Sequence, residues 1–388
     1  MADVTLSKVN VPPAQTWNYL KINGISLEVP AVTGGEGNLP DRLTRIETGI
    51  GDAATAWIDS AVPEPRLISV PARTDLDEPI LIEVESDRGE LASTGVIVHE
   101  GAHATIVVVA ADTERAAAGM TDERAAQSGI EAVVAEPGKA VPETDKPISA
   151  SLLRISADRN AKVDVYEYVA VPTNCRHIEG AAIEADDDAS IEVHQYLLGG
   201  GTVAAGLAVT QRGARSSFKL DTHYLVHENE LLDMNYVARV RGRNARTRID
   251  ASGVLSDGAE KTLRDTIDLI CGCKGAKGDE NETVVVTGDN IVNRSLPVIL
   301  CDEEDVQGNH GATIGSMSVD QLQYLRDRGL TTDEAEELFG RAVVDDAALN
   351  APVKAARDAV LSRAAELIGD EAAADLIEIF ENDQEVGE

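Results

Sequence analysis

Short segments rich in Val, Ile and Thr recur along most of this chain, and Gly, Asp and Asn turns divide them. They are Ile80–Glu85, Val96–Val98, Thr105–Ala110, Val163–Val171, Ile191–Leu198, Val203–Thr210 and Ser216–Leu225. Because nothing between them has the length and period of a crossover helix, the pattern argues against alternating β–α–β architecture. The segments predict a mainly β fold and leave a sandwich, a barrel and a β-solenoid open.

The shortage of aromatic residues narrows the choice of core. Aromatic side chains make up only 3% of the 388 residues, with three Phe, two Trp and seven Tyr, whereas hydrophobic residues as a whole reach 43%. The core must therefore be built mostly from Val, Ile, Leu and Ala. A narrow stack of small aliphatic layers suits this composition better than a bulky globular core.

The charge balance excludes several classes of partner. The chain has 34 basic and 68 acidic residues, a formal net charge of −34, so phosphate groups of nucleic acid or of an anionic membrane would be repelled. Its longest apolar stretch, around Thr105–Ala111, is too short for a membrane span. The acidity fits either a salty cytoplasm or a habit of the lineage.

The N-terminus and the cysteines indicate the compartment. The first residues, MADVTLSKVNVPPAQTW, lack a basic region followed by an apolar stretch, so no signal peptide is expected. Four cysteines in so long a chain do not make a disulfide framework. We therefore expect a cytoplasmic protein with reduced thiols.

Changes in composition and hydrophobic pattern divide the chain into three regions. Residues 1–65 are mixed, and Tyr19–Val29 reads as a hairpin that turns at Asn23-Gly24. Residues 66–315 form the β body, and 112–150 lack a strand pattern, which predicts a loop or a helical excursion. Residues 316–388 are predicted to form a helical domain.

Helix-capping patterns mark this last region. Ser318 with Gln321 and Thr331 with Glu334 are spaced as capping boxes, and Gly329 closes the first helix. A third helix is predicted from Asn350–Pro352 to Gly369, and a fourth over Glu371–Phe380. The second helix carries apolar residues at helical spacing, which need a partner surface: Ala335, Leu338, Phe339, Ala342 and Val343.

Three motifs resemble sites of known chemistry but have plainer interpretations. The segment His99–His103 (HEGAH) matches H-E-x-x-H but lies between β-like segments, where residues i and i+4 would be roughly 13 Å apart, too far for one zinc ion. His223 and His227 fail in the same way. Gly199–Gly201 is not followed by G-K-[ST], which favours a turn between strands over a phosphate loop.

The cysteines and one histidine are candidate ligands. Cys271 and Cys273 are separated by one residue, so on a strand both thiols would point to one face, where they could share a metal or a persulfide or be structural. Cys301 and His310 bracket a Gly- and Asn-rich stretch in which the imidazole would be accessible to iron or zinc. The alternative is that His310 satisfies a backbone carbonyl in a tight turn.

The segment Leu296–Ala335 resembles the SufB/SufD family of iron–sulfur cluster assembly proteins. The matched positions, in order, are Pro297, Asp305-Val306, His310-Gly311-Ala312-Thr313, Gly315, Asp320, Tyr324-Leu325, Arg328-Gly329 and Glu334-Ala335. Weaker likeness extends upstream at Thr16-Trp17, Leu20–Asn23, Gly253-Val254 and Gly275-Ala276. Gly311 is SufD-like, since SufB has Glu there, and the SufB cysteines fall near Ala110 and Glu282, so the SufB persulfide route does not carry over.

This resemblance implies a right-handed parallel β-helix with a C-terminal helical domain. It implies a non-enzymatic scaffold subunit that dimerises through the β-helix, with a second copy or with a SufB-like partner, and that handles a transient iron–sulfur cluster. It makes His310 an iron or cluster ligand, whereas Cys271, Cys273 and Cys301 match no family position. It also implies that a SufC-like ABC-type ATPase binds the helical domain, for which we take Tyr324, Leu325, Arg328, Gly329, Glu334, Ala335, Leu338 and Phe339.

A second function from another class fits the residues alone. A β-helix enzyme that acts on carbohydrate with carboxylate chemistry would suit the acidic composition. A secretion signal would favour that enzyme, and the N-terminus shows none.

Overall fold

The computed structural model describes residues 3–14, 22–32, 34, 37–112, 146–288 and 290–385. The predicted excursion at 112–150 lies outside the described residues except at its two ends. Residues 19–21 of the predicted hairpin at 19–29 lie outside them as well.

Two parallel sheets of eight strands each form the body of the molecule. The first contains β3 (Arg66–Val70), β5 (Leu91–Val98), β7 (Ile148–Ala157), β9 (Arg176–Ala185), β11 (Thr202–Gln211), β13 (Leu231–Val240), β15 (Glu260–Leu269) and β17 (Val292–Cys301). The second contains β4 (Ile80–Glu85), β6 (His103–Ala111), β8 (Lys162–Ala170), β10 (Ser190–Leu197), β12 (Ser217–Val226), β14 (Arg246–Leu255), β16 (Lys277–Val286) and β18 (Gln307–Gly315).

Successive strands alternate between these two sheets, so the chain winds as a parallel β-helix. Ser190 pairs with Ser217, and Ser217 pairs with Arg246, which gives a turn of roughly 30 residues. The predicted fold is confirmed. Its right-handed winding stays a prediction, since that is the sense that parallel crossovers usually take.

One corner of the β-helix repeats the same backbone conformation on six turns. Here the N–H of a residue with positive φ donates to a carbonyl of the next turn, at 2.6 to 3.0 Å. The residue that follows is always small and buried. We call these positions the corner ladder: Gly101, Asn160, Asp188, Arg215, Asn244 and Gly275, followed by Ala102, Ala161, Ala189, Ser216, Ala245 and Ala276. Gly, Asn and Asp dominate because the left-handed conformation suits them.

The N-terminal region covers the outside of the β3–β17 sheet. It contains β1 (Asp3–Val9), β2 (Ile25–Pro30), α1 (Asp41–Thr44) and α2 (Asp52–Ala61). Strand β2, the second half of the predicted hairpin, pairs antiparallel with β1. Ile50, Trp57 and Ile58 pack in one cluster with outward residues of the sheet, which closes that face to water.

Four helices follow the β-helix: α3 (Val319–Arg326), α4 (Thr332–Leu349), α5 (Lys354–Ile368) and α6 (Asp370–Glu385). Both predicted capping boxes are confirmed, at Ser318 and Thr331. The third helix starts later than predicted, with Val353 at its N-cap, because Pro352 lies outside it. The fourth runs past the predicted end.

Helices α4 and α5 pack on the outer face of the β4–β18 sheet. Val344 and Val360 belong to one buried cluster with Val107 and Leu198 of the sheet. Buried Arg363 fixes the contact, since its Nη2 donates to Glu230 Oε1 at 2.8 Å. The helical region is thus attached to the wall of the β-helix.

Candidate functional site

The last turn of the β-helix, formed by β17 and β18, is uncovered; we call it the terminal rung. Along β16 every second residue from Gly278 to Val284 is buried, whereas all residues of β18 are exposed. Strand β15 is almost wholly buried, whereas β17 is half-buried. In the described part of the chain, no strand pairs with the outer edge of β17 or β18. The β-helix is therefore open at this end.

His310 lies on the terminal rung, on the side of β18 that faces the interior. A Cβ built on Gly308 would lie 3.2 Å from Ile299 Cγ2 of the opposite sheet, so this side of the strand points inward. His310 is two residues further on, and it pairs in register with buried Glu280. Its side chain is exposed only because no further turn covers it.

Behind the terminal rung, polar side chains run through the interior of the β-helix, which is otherwise aliphatic. All of them are buried. We call them the interior polar row: Ser149, Ser151, Glu167, His177, Glu179, Gln195, Thr222, Tyr224, Tyr236, Lys261, Asp265, Glu280 and Glu282. Sequence analysis missed this row, since an inward Glu in a strand looks the same as an outward one.

The middle of the row holds two neutral carboxyl groups. Burial raises the pKa of Glu167 to about 8, with a further rise from the charge of Glu179, and burial raises the pKa of Glu179 to about 8. Glu167 Oε2 accepts from Gln195 Nε2 at 2.6 Å, and His177 Nε2 lies 3.0 Å from Glu179 Oε2. Burial lowers the pKa of His177 to about 3, so this imidazole is neutral too.

Nearer the terminal rung the row becomes charged. Lys261 pairs with Glu282, which also accepts from the Tyr224 hydroxyl at 3.0 Å. Burial raises the pKa values of Asp265 and Glu280, and each also responds to a neighbouring carboxylate. Both carboxylate oxygens of Glu280 lack a hydrogen-bond partner. The open end of the β-helix thus lies over an interior that holds one buried ion pair and two carboxyl groups whose pKa values are raised.

Cys271 and Cys273 occupy a turn, which corrects one prediction. Cys271 and Cys273 are in the turn between β15 and β16, where Cys271 is exposed and Cys273 is buried, so they do not share one strand face. Cys301 ends β17 and is exposed. Among the described residues, no three His, Cys, Asp or Glu side chains stand at the spacing of a bound metal ion.

The two His of the HEGAH segment are held apart, as expected, although the segment is a turn between β5 and β6 and not a strand. His99 Nδ1 lies 2.9 Å from Asp158 Oδ2. His103 lies 2.9 Å from Asp75 and 2.8 Å from Asp164, and its hydrogen bond to Asp164 is the main cause of a raised pKa. Gly199–Gly201 connects β10 and β11 outside both strands, as predicted.

The predicted ATPase-binding residues differ in accessibility. Tyr324, Arg328, Gly329, Glu334 and Leu338 are exposed, Leu325 and Phe339 are half-buried, and Ala335 is buried. Helix α3 has no buried residue, and its first residue, Val319, is 82% exposed. Glu334 has a structural task as well, because its carboxylate caps the backbone of Thr331 and its pKa is lowered by that hydrogen bond.

The architecture defines a parallel β-helix protein with one open end and a helical region on its wall. A family model described as SUF system FeS cluster assembly, SufBD core domain, matches residues 121–343, more than half of the chain. The chain therefore belongs to the SufB/SufD family of iron–sulfur cluster assembly proteins, which confirms the resemblance seen in the sequence. Of the described helices, none has the length and apolar character needed to cross a membrane.

Relatives with assigned names agree with this family. The iron–sulfur cluster assembly protein SufD of Bacillus subtilis is 30% identical over 86 residues, which cover 22% of this chain and 20% of that protein. A SufBD family protein of Methanocaldococcus jannaschii is 27% identical over 123 residues, 32% of this chain and 38% of that protein. SufD of Escherichia coli is 22% identical over 153 residues, which cover 39% of this chain and 36% of that protein. The matched stretches thus span well under half of each relative.

Proposed function

We propose that this chain is a cytoplasmic scaffold subunit of a Suf-type iron–sulfur assembly complex, with no enzyme activity of its own. Family membership supports a role in cluster assembly. The observation that carries the proposal is the terminal rung, which exposes an imidazole on the inward side of the last strand of a SufB/SufD-type β-helix. In this proposal His310 binds iron or the growing cluster, which is the cargo of the complex.

A second subunit completes the site. Clusters are normally held by several thiolates, so His310 alone is an incomplete ligand set. The outer edges of β17 and β18 have no strand partner among the described residues, and exposed edges favour pairing with another chain. The partner is either a second copy of this chain or a SufB-like subunit, seated on the terminal rung.

The free part of the helical region would bind the ATPase. Helix α3 and the first half of α4 expose Val319, Tyr324 and Leu338, whereas the second half of α4 and α5 are packed on the β-helix. An eight-residue helix with no buried residue gains little stability by itself, so a partner surface suits α3. We assign this surface to a SufC-like ABC-type ATPase.

The ligand is tested by anaerobic reconstitution with iron and sulfide, in the presence of the ATPase and a SufB-like subunit. We expect His310→Ala to lower the iron and sulfide retained by the complex. The matched control is His194→Ala, since His194 stacks on Tyr166 on the outer wall. Equal cluster content in the His310→Ala and wild-type complexes would remove His310 from the site.

The ATPase surface is tested with purified partners. We expect the double variant Tyr324→Ala, Leu338→Ala to lose capture of the ATPase, because a few residues carry most of the binding free energy of an interface and Tyr is enriched among them. The control is Leu349→Ala, since Leu349 is also on α4 and is 65% exposed, against 44% for Leu338. Loss of capture in the control alone would place the ATPase at the other end of α4.

A further inference from the structure

Five exposed basic side chains gather at one corner of the β-helix, on two successive turns. We call them the basic corner: Arg241, Arg243, Arg246, Lys274 and Lys277. The three arginines lie between the end of β13 and the start of β14, and the lysines hold the places of Arg243 and Arg246 on the next turn. Since the chain has 68 acidic and only 34 basic residues, this cluster runs against its composition.

The basic corner is unpaired, unlike the basic side chains around it. Arg212, on the preceding turn, pairs with Glu184 at 2.8 Å, and Arg248 of β14 donates to Asp250 at 3.0 Å. By contrast, no side chain of the basic corner forms an ion pair or a hydrogen bond with another residue that the structure describes. Its charges are therefore free to meet a molecule outside the chain.

Like charges are neighbours within the basic corner. Arg246 pairs in register with Lys277, and both side chains point outward, since the next residue of each strand is buried. The N–H of Asn244, which follows Arg243, donates to the Lys274 carbonyl at 2.9 Å. Like charges on directly opposed residues destabilise a sheet. The basic corner thus contains a repulsion that a bound anion would relieve.

Acidic residues limit the size of the basic corner. The next turn toward the open end carries residues 302–305 (DEED), and residues 186–188 (DDD) lie two turns away on the other side. Along the strands, Asp250 of β14 and Asp279 of β16 also point outward. The positive region therefore extends over no more than about 10 Å along the axis, or two strand spacings.

We propose that the basic corner binds a short acidic segment of a partner protein, with two or three carboxylates as the recognised groups. The guanidinium group of Arg matches a carboxylate with two parallel hydrogen bonds. An extended segment rises about 3.3 Å per residue, so three residues fit within the patch. Nucleic acid suits it less, because its line of phosphates would continue onto the acidic turns, which repel it.

The basic corner is remote from the surfaces used in the proposed function. It lies where the strands of the β4–β18 sheet begin, whereas the helical region packs near their ends, at Leu225 and Val254. A partner bound at this corner leaves helix α3 free. The inference therefore does not rest on the cluster ligand or on the ATPase surface, and each can fail without the others.

The test is binding of a fluorescent peptide of consecutive glutamates, flanked by Gly and Ser, to the full-length chain at low salt. We expect fluorescence anisotropy to show binding that the same peptide with Gln in place of Glu lacks. Arg243→Gln combined with Arg246→Gln should weaken this binding by roughly three- to tenfold, because each exposed ion pair contributes little. Added salt should weaken it in the wild-type chain, since salt screens exposed charges.

Arg159→Gln is the matched control for Arg243→Gln. Both arginines are exposed, and each precedes an Asn of the corner ladder and a buried Ala, so both substitutions remove one charge from the same backbone conformation. Arg159 lies 3.8 Å from Asp187 and outside the basic corner. Only Arg243→Gln should weaken the binding of the peptide.

Three results would overturn the proposal. The first is that the glutamate peptide does not bind the wild-type chain at low salt. The second is that Arg159→Gln and Arg243→Gln weaken its binding equally. The third is that an oligothymidylate of the same charge binds more tightly than the peptide and loses its binding in the double variant, which would assign the basic corner to nucleic acid.

Discussion

The inner turns of the β-helix and its terminal rung are both built from parallel strands, yet a further turn covers each inner turn and none covers the terminal rung. Ile267 on β15 is 0% exposed, whereas Ile314 on β18 is 54% exposed, although both lie on the inward side of their strands. The inner turns use their side chains to hold the fold together. The terminal rung leaves the same kind of surface free, so its residues are available for another molecule.

The prediction with the largest expected effect compares the same Ile→Ala substitution on an inner turn and on the terminal rung. Ile267→Ala removes a core side chain and should lower the free energy of unfolding by about 2–5 kcal/mol. Ile314→Ala should change it by no more than about 0.5 kcal/mol in the isolated chain. Chemical denaturation measures both, and similar losses for the two variants would mean that the terminal rung is covered in solution.

A pH effect of intermediate size distinguishes the interior from the surface. Glu167 has a pKa of about 8 in the folded chain against an ordinary value of 4.5, so folding favours its protonated form. The stability that this protonated carboxyl contributes is complete below its ordinary pKa of 4.5. It is lost as the pH rises toward its folded pKa of about 8. Stability should therefore fall between pH 6.5 and 8, and Glu167→Gln should make the fall shallower.

The pH range of this measurement lies above the range in which His177 changes the stability. His177 has a pKa of about 3 in the folded chain, whereas its ordinary value is 6.5. Its contribution to stability is therefore lost as the pH falls below 6.5 and is constant above that pH. The control is Glu303→Gln, because hydrogen bonds from the backbone, first that of Gly272, lower the pKa of the exposed Glu303 carboxylate. Denaturation at pH 6.5 and pH 8 should give the wild-type slope for this control.

The smallest expected effect concerns the ligand itself. His310→Ala should leave the free energy of unfolding within about 0.5 kcal/mol of the wild-type value, since the side chain is exposed. A thermal or denaturant melt of the isolated chain checks this. A loss of more than about 1 kcal/mol would show that the imidazole has a packing role, although His310 lies within strand β18 and not in a tight turn.

Much of the β-helix could be predicted from local patterns, and the rest could not for physical reasons. Strands such as β4 and β6 were visible because Val, Ile and Thr dominate them. Strand β15 was not, since its inward residues include Lys261 and Asp265, whose sequence letters suggest a surface. The period became clear only from the register, because the turns between strands differ in length.

The candidate site divides in the same way. His310 could be found because the residues around it form a recognisable motif within a short segment. Strand β18 is exposed because it belongs to the last turn of the β-helix, and no local sequence pattern indicates which turn is the last. Cys271 and Cys273 were assigned to one strand face because their spacing fits a strand, but Gly272 has φ +104 and turns the chain there.

The corner ladder has a consequence for how this molecule can change length. Six successive turns meet their neighbours through a residue in the left-handed conformation and a small buried residue after it, so a whole turn can be added or lost without new corner chemistry. Each such event would move His310 by one strand spacing, about 4.8 Å, relative to the helices fixed on the wall. The distance between the proposed ATPase surface and His310, the proposed cluster ligand, can therefore vary only in steps of one whole turn.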